Sequence, residues 1–248
     1  MNKTRQEAHD TIATFTELMK DASGVEYGFC PPFVYLAELA ASSNMGIGFG
    51  AQDVFWAPSG AFTGFTSVAM LQDIGAKYAI IGHSERRGRF GKLEVPESTI
   101  SSFAETDETV NFKLKACLAG GIVPIVCCGE TLSEREAGKT DSVIATQIAG
   151  ALNGISDADL TPLVVAYEPV WAIGTGKVCD SAEANRVCAM IRSCLPVSIQ
   201  QTTRIQYGGS VNPGNARELF SMPDIDGGLV GGASLKAEDF AQVVLASR

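Results

Sequence analysis

The sequence predicts a parallel α/β fold in one domain. Three observations carry that expectation. Short apolar runs alternate with longer stretches of helical periodicity, the runs are apolar on both faces, and no Pro-, Gly- or Ser-rich linker divides the 248 residues. The first element reads as a helix, because Ala8, Ile12, Phe15 and Met19 recur at spacings of four, three and four. Strand candidates follow at 26–29, 47–51, 78–82, 122–127, 163–167, 204–207 and 228–231. Between them lie helix starts. Ser133-Glu134-Arg135-Glu136 reads as a capping box, Asp180 with Glu183 as a near relative, and Ala184, Val187, Ile191 and Cys194 as the stripe that follows.

Alternation alone does not separate a closed barrel from an open doubly wound sheet. A length of 248 residues suits one α/β barrel. The count reaches seven strands and begins with a helix, whereas a closed barrel of this kind needs eight, so one strand is missing or unseen.

Composition narrows the function. Hydrophobic residues make up 46% and charged residues 19%, enough apolar content for a full core and too little charge for disorder. The net charge of -9 argues against nucleic acid or an anionic membrane as partner, but leaves room for a small anionic substrate in a locally positive site. Seven Cys occur without a CxxC pair and without metal-ligand spacing to the two His, so no metal is expected, and buried thiols in a cytoplasmic protein are. No apolar run approaches the ~20 residues of a membrane span, and the N-terminal residues do not read as a signal peptide.

In a parallel barrel, catalytic groups stand at the C-terminal ends of strands. His83 follows the run 78–82, and Glu168 follows 163–167. Each alone could be a satisfied structural histidine or an ion-pair partner. Glu168 opens Pro169-Val170-Trp171-Ala172-Ile173-Gly174-Thr175-Gly176-Lys177, a compact apolar middle between a proline and a Gly-Thr-Gly, which suits a lid between hinges; the plainer reading is an ordinary βα loop. Tyr207-Gly208-Gly209-Ser210 and Gly231-Gly232 follow the last two strands, where glycines let backbone N–H groups approach a phosphate.

These blocks carry a specific resemblance. Ile81-Gly82-His83-Ser84-Glu85-Arg86-Arg87 resembles the electrophile motif of triosephosphate isomerases, and 166–176 resembles their catalytic-base and lid motif. Tyr207-Gly208-Gly209-Ser210-Val211 and Leu229-Val230-Gly231-Gly232-Ala233-Ser234-Leu235 resemble their phosphate loops. The similarity runs in order from Met1 to the C-terminus. It implies a (β/α)8 TIM barrel that interconverts dihydroxyacetone phosphate and glyceraldehyde 3-phosphate without a cofactor. By resemblance Glu168 is the base, His83 polarises the carbonyl, Glu85 orients neighbouring charges and Cys127 packs beneath the site. Gly174, Ser210, Gly231 and Gly232 would give N–H donors to the phosphate.

Three departures stand out. The family's first strand ends Asn-x-Lys-Met-Asn, and Met1-Asn2 matches only the last two letters, so the first strand and its lysine are expected upstream of Met1, a start assigned at an internal methionine being the expected cause. The alternative is an impaired barrel that binds a phosphate ligand or partner. Residues 92–104 form an addition, with Pro96 and three serines, expected to be a surface loop or a short extra turn. The loop 56–65 resembles the family's dimer loop, with Phe65 where Glu is usual; a homodimer through this loop is the expected assembly.

Overall fold

The computed structural model describes residues 1–42, 46–92, 95–175 and 177–247. Helices and strands alternate: α1 (Arg5–Met19), β1 (Gly28–Phe29), α2 (Phe33–Ser42), β2 (Gly48–Ala51), α3 (Val68–Asp73), β3 (Tyr78–Ile81), α4 (Asp107–Ala119), β4 (Val123–Cys128), α5 (Leu132–Glu136), α6 (Thr140–Leu152), β5 (Val164–Tyr167), α7 (Ser181–Cys194), β6 (Arg204–Tyr207), α8 (Ala216–Phe220), β7 (Gly227–Gly228) and α9 (Ala237–Leu245). Short 3-10 turns lie at Glu97–Phe103, Val170–Ala172 and Gly232–Leu235.

Among the described residues the sheet has seven strands, in chain order β1 to β7, and every neighbouring pair is parallel. The sheet curls. In a flat sheet β1 and β6 would stand about 24 Å apart, five steps of ~4.8 Å. Instead Glu26, two residues before β1, accepts hydrogen bonds from both Arg204 at the start of β6 and Tyr78 at the start of β3. The first and last helices also meet. The Phe15 and Phe240 rings stack at 5.1 Å, and Phe29 lies edge-on to both.

Side chains alternate across the strands, so β3, β4 and β5 each feed two apolar layers. Ile80, Ile125, Cys127, Val164 and Ala166 pack with Tyr78, Val123, Cys30 and Leu229 in one cluster inside the curl. Ala79, Ile81, Val126, Cys128, Val165, Tyr167 and Ile205 face the helices and join the main core. This explains why these three strands read as continuous apolar runs.

The first helix begins at a capping box, Thr4 with Glu7, and buries Ala8, Phe15 and Met19 along the expected stripe. Asp180 caps α7 by accepting the Glu183 N–H at 2.8 Å. One helix start lies elsewhere than expected. The capping box of α5 is Thr131 with Glu134, so Ser133 to Glu136 already lie inside the helix. The chain leaves β4 and turns at Gly129-Glu130, and Thr131 is the last residue with extended backbone before the first turn closes. No described helix is long and apolar enough to cross a membrane.

Candidate active site

The C-terminal ends of β3 and β5 bring His83 and Glu168 together. His83 Nε2 lies 2.9 Å from Glu168 Oε1. On the other side of the ring, Nδ1 accepts the backbone N–H of Glu85 at 3.3 Å. In the neutral imidazole the proton therefore sits on Nε2, facing the carboxylate. Glu85 thus reaches the site through its backbone, and its carboxylate is exposed.

Glu168 is 1% exposed. Its Oε2 accepts the Ser84 N–H at 2.9 Å, and its Oε1 accepts the Ser84 hydroxyl at 3.2 Å. Its own N–H donates to Cys128 O at 2.8 Å, which fixes the backbone at the strand end. Burial pushes the His83 pKa down and is the largest single influence. Glu168, then Glu85 and Glu105, outweigh it, and the imidazole ends above its ordinary value.

Cys127 is fully buried inside the curl, one residue before the end of β4. Burial, with the Glu168 charge nearby, pushes its thiol well up, so it stays protonated and acts as a packing group.

The residues after Glu168 form an arch. Val170–Ala172 make one 3-10 turn, and Gly174 at its exposed crest has φ +66, a conformation open to glycine. Gly176 lies outside the described residues. The near limb of the arch is gripped by Glu130. Val170 N–H donates to the Glu130 carbonyl at 3.1 Å. Trp171 Nε1 and the Tyr167 hydroxyl donate to Glu130 Oε1 at 2.8 and 3.2 Å. The Arg135 guanidinium stacks over the Trp171 ring at 4.4 Å. Ser210, exposed after β6, donates its hydroxyl to Ala172 O at 3.4 Å and so touches the arch. Gly231 and Gly232 open the 3-10 turn after β7, exposed and with clear space where a side chain would be. The leading N–H groups of such a turn have no carbonyl within the turn to bond.

Ser84 and Glu130 are site residues that motif reading passed over. The strand-end rule that selects His83 and Glu168 also selects Glu130, two residues past β4.

Known proteins give the arrangement a family. The triosephosphate isomerase family model matches residues 1–247. The chain belongs to the triosephosphate isomerase family. It is 48% identical over 248 residues to the triosephosphate isomerase of Moorella thermoacetica, covering 98% of this chain and 94% of the relative. The triosephosphate isomerase of Citrifermentans bemidjiense is 49% identical over 247 residues, with 98% and 93% covered. That of Carboxydothermus hydrogenoformans is 47% identical over 254 aligned positions, with 100% and 95% covered. Membership of the triosephosphate isomerase family brings the interconversion of dihydroxyacetone phosphate and glyceraldehyde 3-phosphate, and with it a place in glycolysis.

Proposed function

We propose that Glu168 and His83 carry the proton transfers of this isomerisation, in the division of labour already established for the family. The observation that supports this most is the 2.9 Å approach of His83 Nε2 to a Glu168 carboxylate that is almost wholly buried. Glu168 takes a proton from the carbon beside the carbonyl, and the C–H electron pair passes to the carbonyl oxygen as an enediolate. His83 donates from Nε2 to that oxygen and relays the hydroxyl proton between the two oxygens. The protonated Glu168 then returns its proton to the neighbouring carbon. When Glu168 turns from His83 to the substrate, the charge that raises the His83 pKa moves away, while burial and the Glu85 N–H on Nδ1 remain. Both favour the neutral ring the step requires.

The arch 169–177 is read as a lid, with Gly174, Ser210, Gly231 and Gly232 donating to the substrate phosphate. A closed lid excludes water, which strengthens the base and keeps the enediolate from shedding its phosphate. A homodimer through the loop 56–65 is supported by its aromatic cluster. Phe55 lies 4.0 to 4.7 Å from Trp56, Phe62 and Phe65, yet Phe62 and Phe65 stay 45% and 48% exposed. Seven cysteines that are all free thiols suit the cytoplasm, and a main core that runs from Ala8 to Val244 suits a single domain.

The test is isomerisation in deuterium oxide. The parent enzyme should place solvent deuterium on the carbon that Glu168 serves. Glu168→Gln, which keeps the shape and removes the base, should abolish both turnover and exchange. Exchange at the parent rate in that variant would assign the base elsewhere.

A further inference from the structure

The added segment 92–104 has no part in the chemistry above, and neither does Gly91, the residue just before it. Gly91 has no positive φ, so no turn requires a glycine there. Space requires it. A Cβ on Gly91 would overlap the carbonyl oxygens of Val170 and Ile173 and press on Thr175 Cγ2 at 3.1 Å. All three belong to the arch after Glu168. The backbone of Gly91 therefore lies directly against both limbs of the arch, closer than any side chain permits.

Residues of the addition stand behind this contact. The 3-10 turn Glu97–Phe103 folds back on the stretch leading to Gly91. The Phe103 ring meets Phe90 edge-on at 5.5 Å and 89°. Gly88 packs so closely that a Cβ there would sit 3.0 Å from Phe103 O and 3.2 Å from Ile100 Cγ2. Glu105 N–H then returns to Arg86 O at 3.1 Å and closes the excursion. Arg89 anchors the same stretch to Gly129 O at 3.2 Å and to Glu134.

We propose that Gly91 is a positioning residue, the seat on which the lid rests when open, and that the 3-10 turn 97–103 braces the seat through Phe103. The proposal rests on reading 169–177 as a lid. A seat held from behind favours the open lid, and open lids admit substrate and release product. A side chain at Gly91 cannot push the braced seat back, so it displaces the lid and raises the free energy of the open state alone. A ligand that binds under a closed lid then binds more tightly, because less open state has to be overcome.

The experiment uses sn-glycerol 3-phosphate, which keeps the phosphate and the three-carbon frame but has no carbonyl to enolise. The chain has two tryptophans, so a Trp56→Phe background leaves Trp171, inside the arch, as the reporter. Saturating ligand should change Trp171 fluorescence in this background. Without such a change the lid reading itself fails, whatever Gly91 does. Given the change, Gly91→Ala should move ligand-free fluorescence toward the bound value and lower the Kd for glycerol 3-phosphate by about 3- to 10-fold. Its kcat and KM should fall together, as slower release from a favoured closed lid requires. Adding Phe103→Ala lets the seat yield, so the double variant should recover part of the shift. Should Gly91→Ala not fold, Phe103→Ala alone is read, with a smaller lowering of Kd expected. A Kd that stays or rises while parent Trp171 responds overturns the seat. Damage in the double variant at least as large as in Gly91→Ala overturns the brace.

Discussion

Ser84 and Glu168 are joined twice. The Ser84 N–H and hydroxyl donate to the two carboxylate oxygens, at 2.9 and 3.2 Å, across 84 residues of sequence. A carboxylate held this way is parked. Hydrogen bonds to a charged group are worth ~1.5–3 kcal/mol each, enough to give a buried charge one resting place and weak enough to be exchanged for substrate. His83, on the same oxygen as the Ser84 hydroxyl, is the third member of the resting arrangement.

The titration of His83 should report that arrangement. The chain has two histidines, so each ring can be followed by NMR. Burial, the largest influence, lowers the His83 pKa, but Glu168 and its neighbours carry it above the ordinary value. In the parent the midpoint should therefore lie above ~6.5. In Glu168→Gln the main raising influence is gone and burial should take the midpoint below that value. Stability follows with a definite sign. A folded-state pKa above the unfolded one gives a contribution that is complete below the unfolded pKa and fades as pH rises through the folded one. The stability gap between parent and Glu168→Gln should narrow over that window. A midpoint unmoved by Glu168→Gln would break the pairing.

How much of this was legible in the sequence depends on the reach of each interaction. The strands were visible because both faces of a covered parallel sheet are apolar, as in 123–128. His83 and Glu168 stood out because each follows such a run. The Ser84–Glu168 bonds were not visible, since they join the ends of β3 and β5, which are not neighbours in the sheet. The start of α5 was misplaced by two residues because threonine and serine both cap helices, and only the turn after β4 decides that Thr131 does. The curl of the sheet could not be read from alternation; it shows in Glu26 meeting Arg204.

The proposed hinge is testable at Gly174. Its φ of +66 is closed to proline, whose ring holds φ near −65°. Gly174→Pro should leave the barrel folded, since Gly174 is exposed and touches nothing where a side chain would be. The lid would be distorted, and the enediolate would meet water and lose its phosphate more often. Methylglyoxal formed per isomerisation should rise. An unchanged product ratio would remove residues 169–177 from the role of lid.

Glu130 offers a separate handle on the arch proposed as the lid. It is fully buried, and burial raises its pKa although Trp171 and Tyr167 donate to it. Its Oε2 has no hydrogen-bond partner among the described residues. A raised carboxyl pKa gives stability that is lost as pH rises through it, so the charged form is a burden at neutral pH. Glu130→Gln keeps an acceptor for Trp171 and sheds that burden. Thermal unfolding at pH 7 should find it as stable as the parent or more so. Glu130→Ala should cost ~2–6 kcal/mol, because it strands two buried donors at ~1–3 kcal/mol each. Equal stability of the two variants would refute the account.

Gly129 ties the packing of the barrel to the position of Glu168, the proposed base. A Cβ on Gly129 would overlap the Glu168 carbonyl oxygen and lie 2.7 Å from its carbonyl carbon. Gly129 has little freedom to retreat. Its N–H donates to Gln147 Oε1 at 2.8 Å, and its carbonyl accepts Gln147 Nε2 and Arg89, both at 3.2 Å. The strain of Gly129→Ala must therefore pass to β5 and move Glu168. Overpacking of this kind costs ~1–3 kcal/mol, which most folds survive. Catalysis is less forgiving, since ~1 Å of displacement can cost ~100-fold. Gly208→Ala is the control. There the nearest atoms a Cβ would meet are the Glu168 Cγ and the Tyr167 carbonyl oxygen, both at 3.1 Å, so a few tenths of an ångström suffice. Steady-state kinetics beside thermal melting should show Gly129→Ala folded, its kcat down about 100-fold and its KM little changed, with a smaller loss in Gly208→Ala. If Gly129→Ala keeps parental kcat, the carbonyl at Glu168 can move without carrying the carboxylate, and the base is held by Ser84 rather than by the strand beneath it.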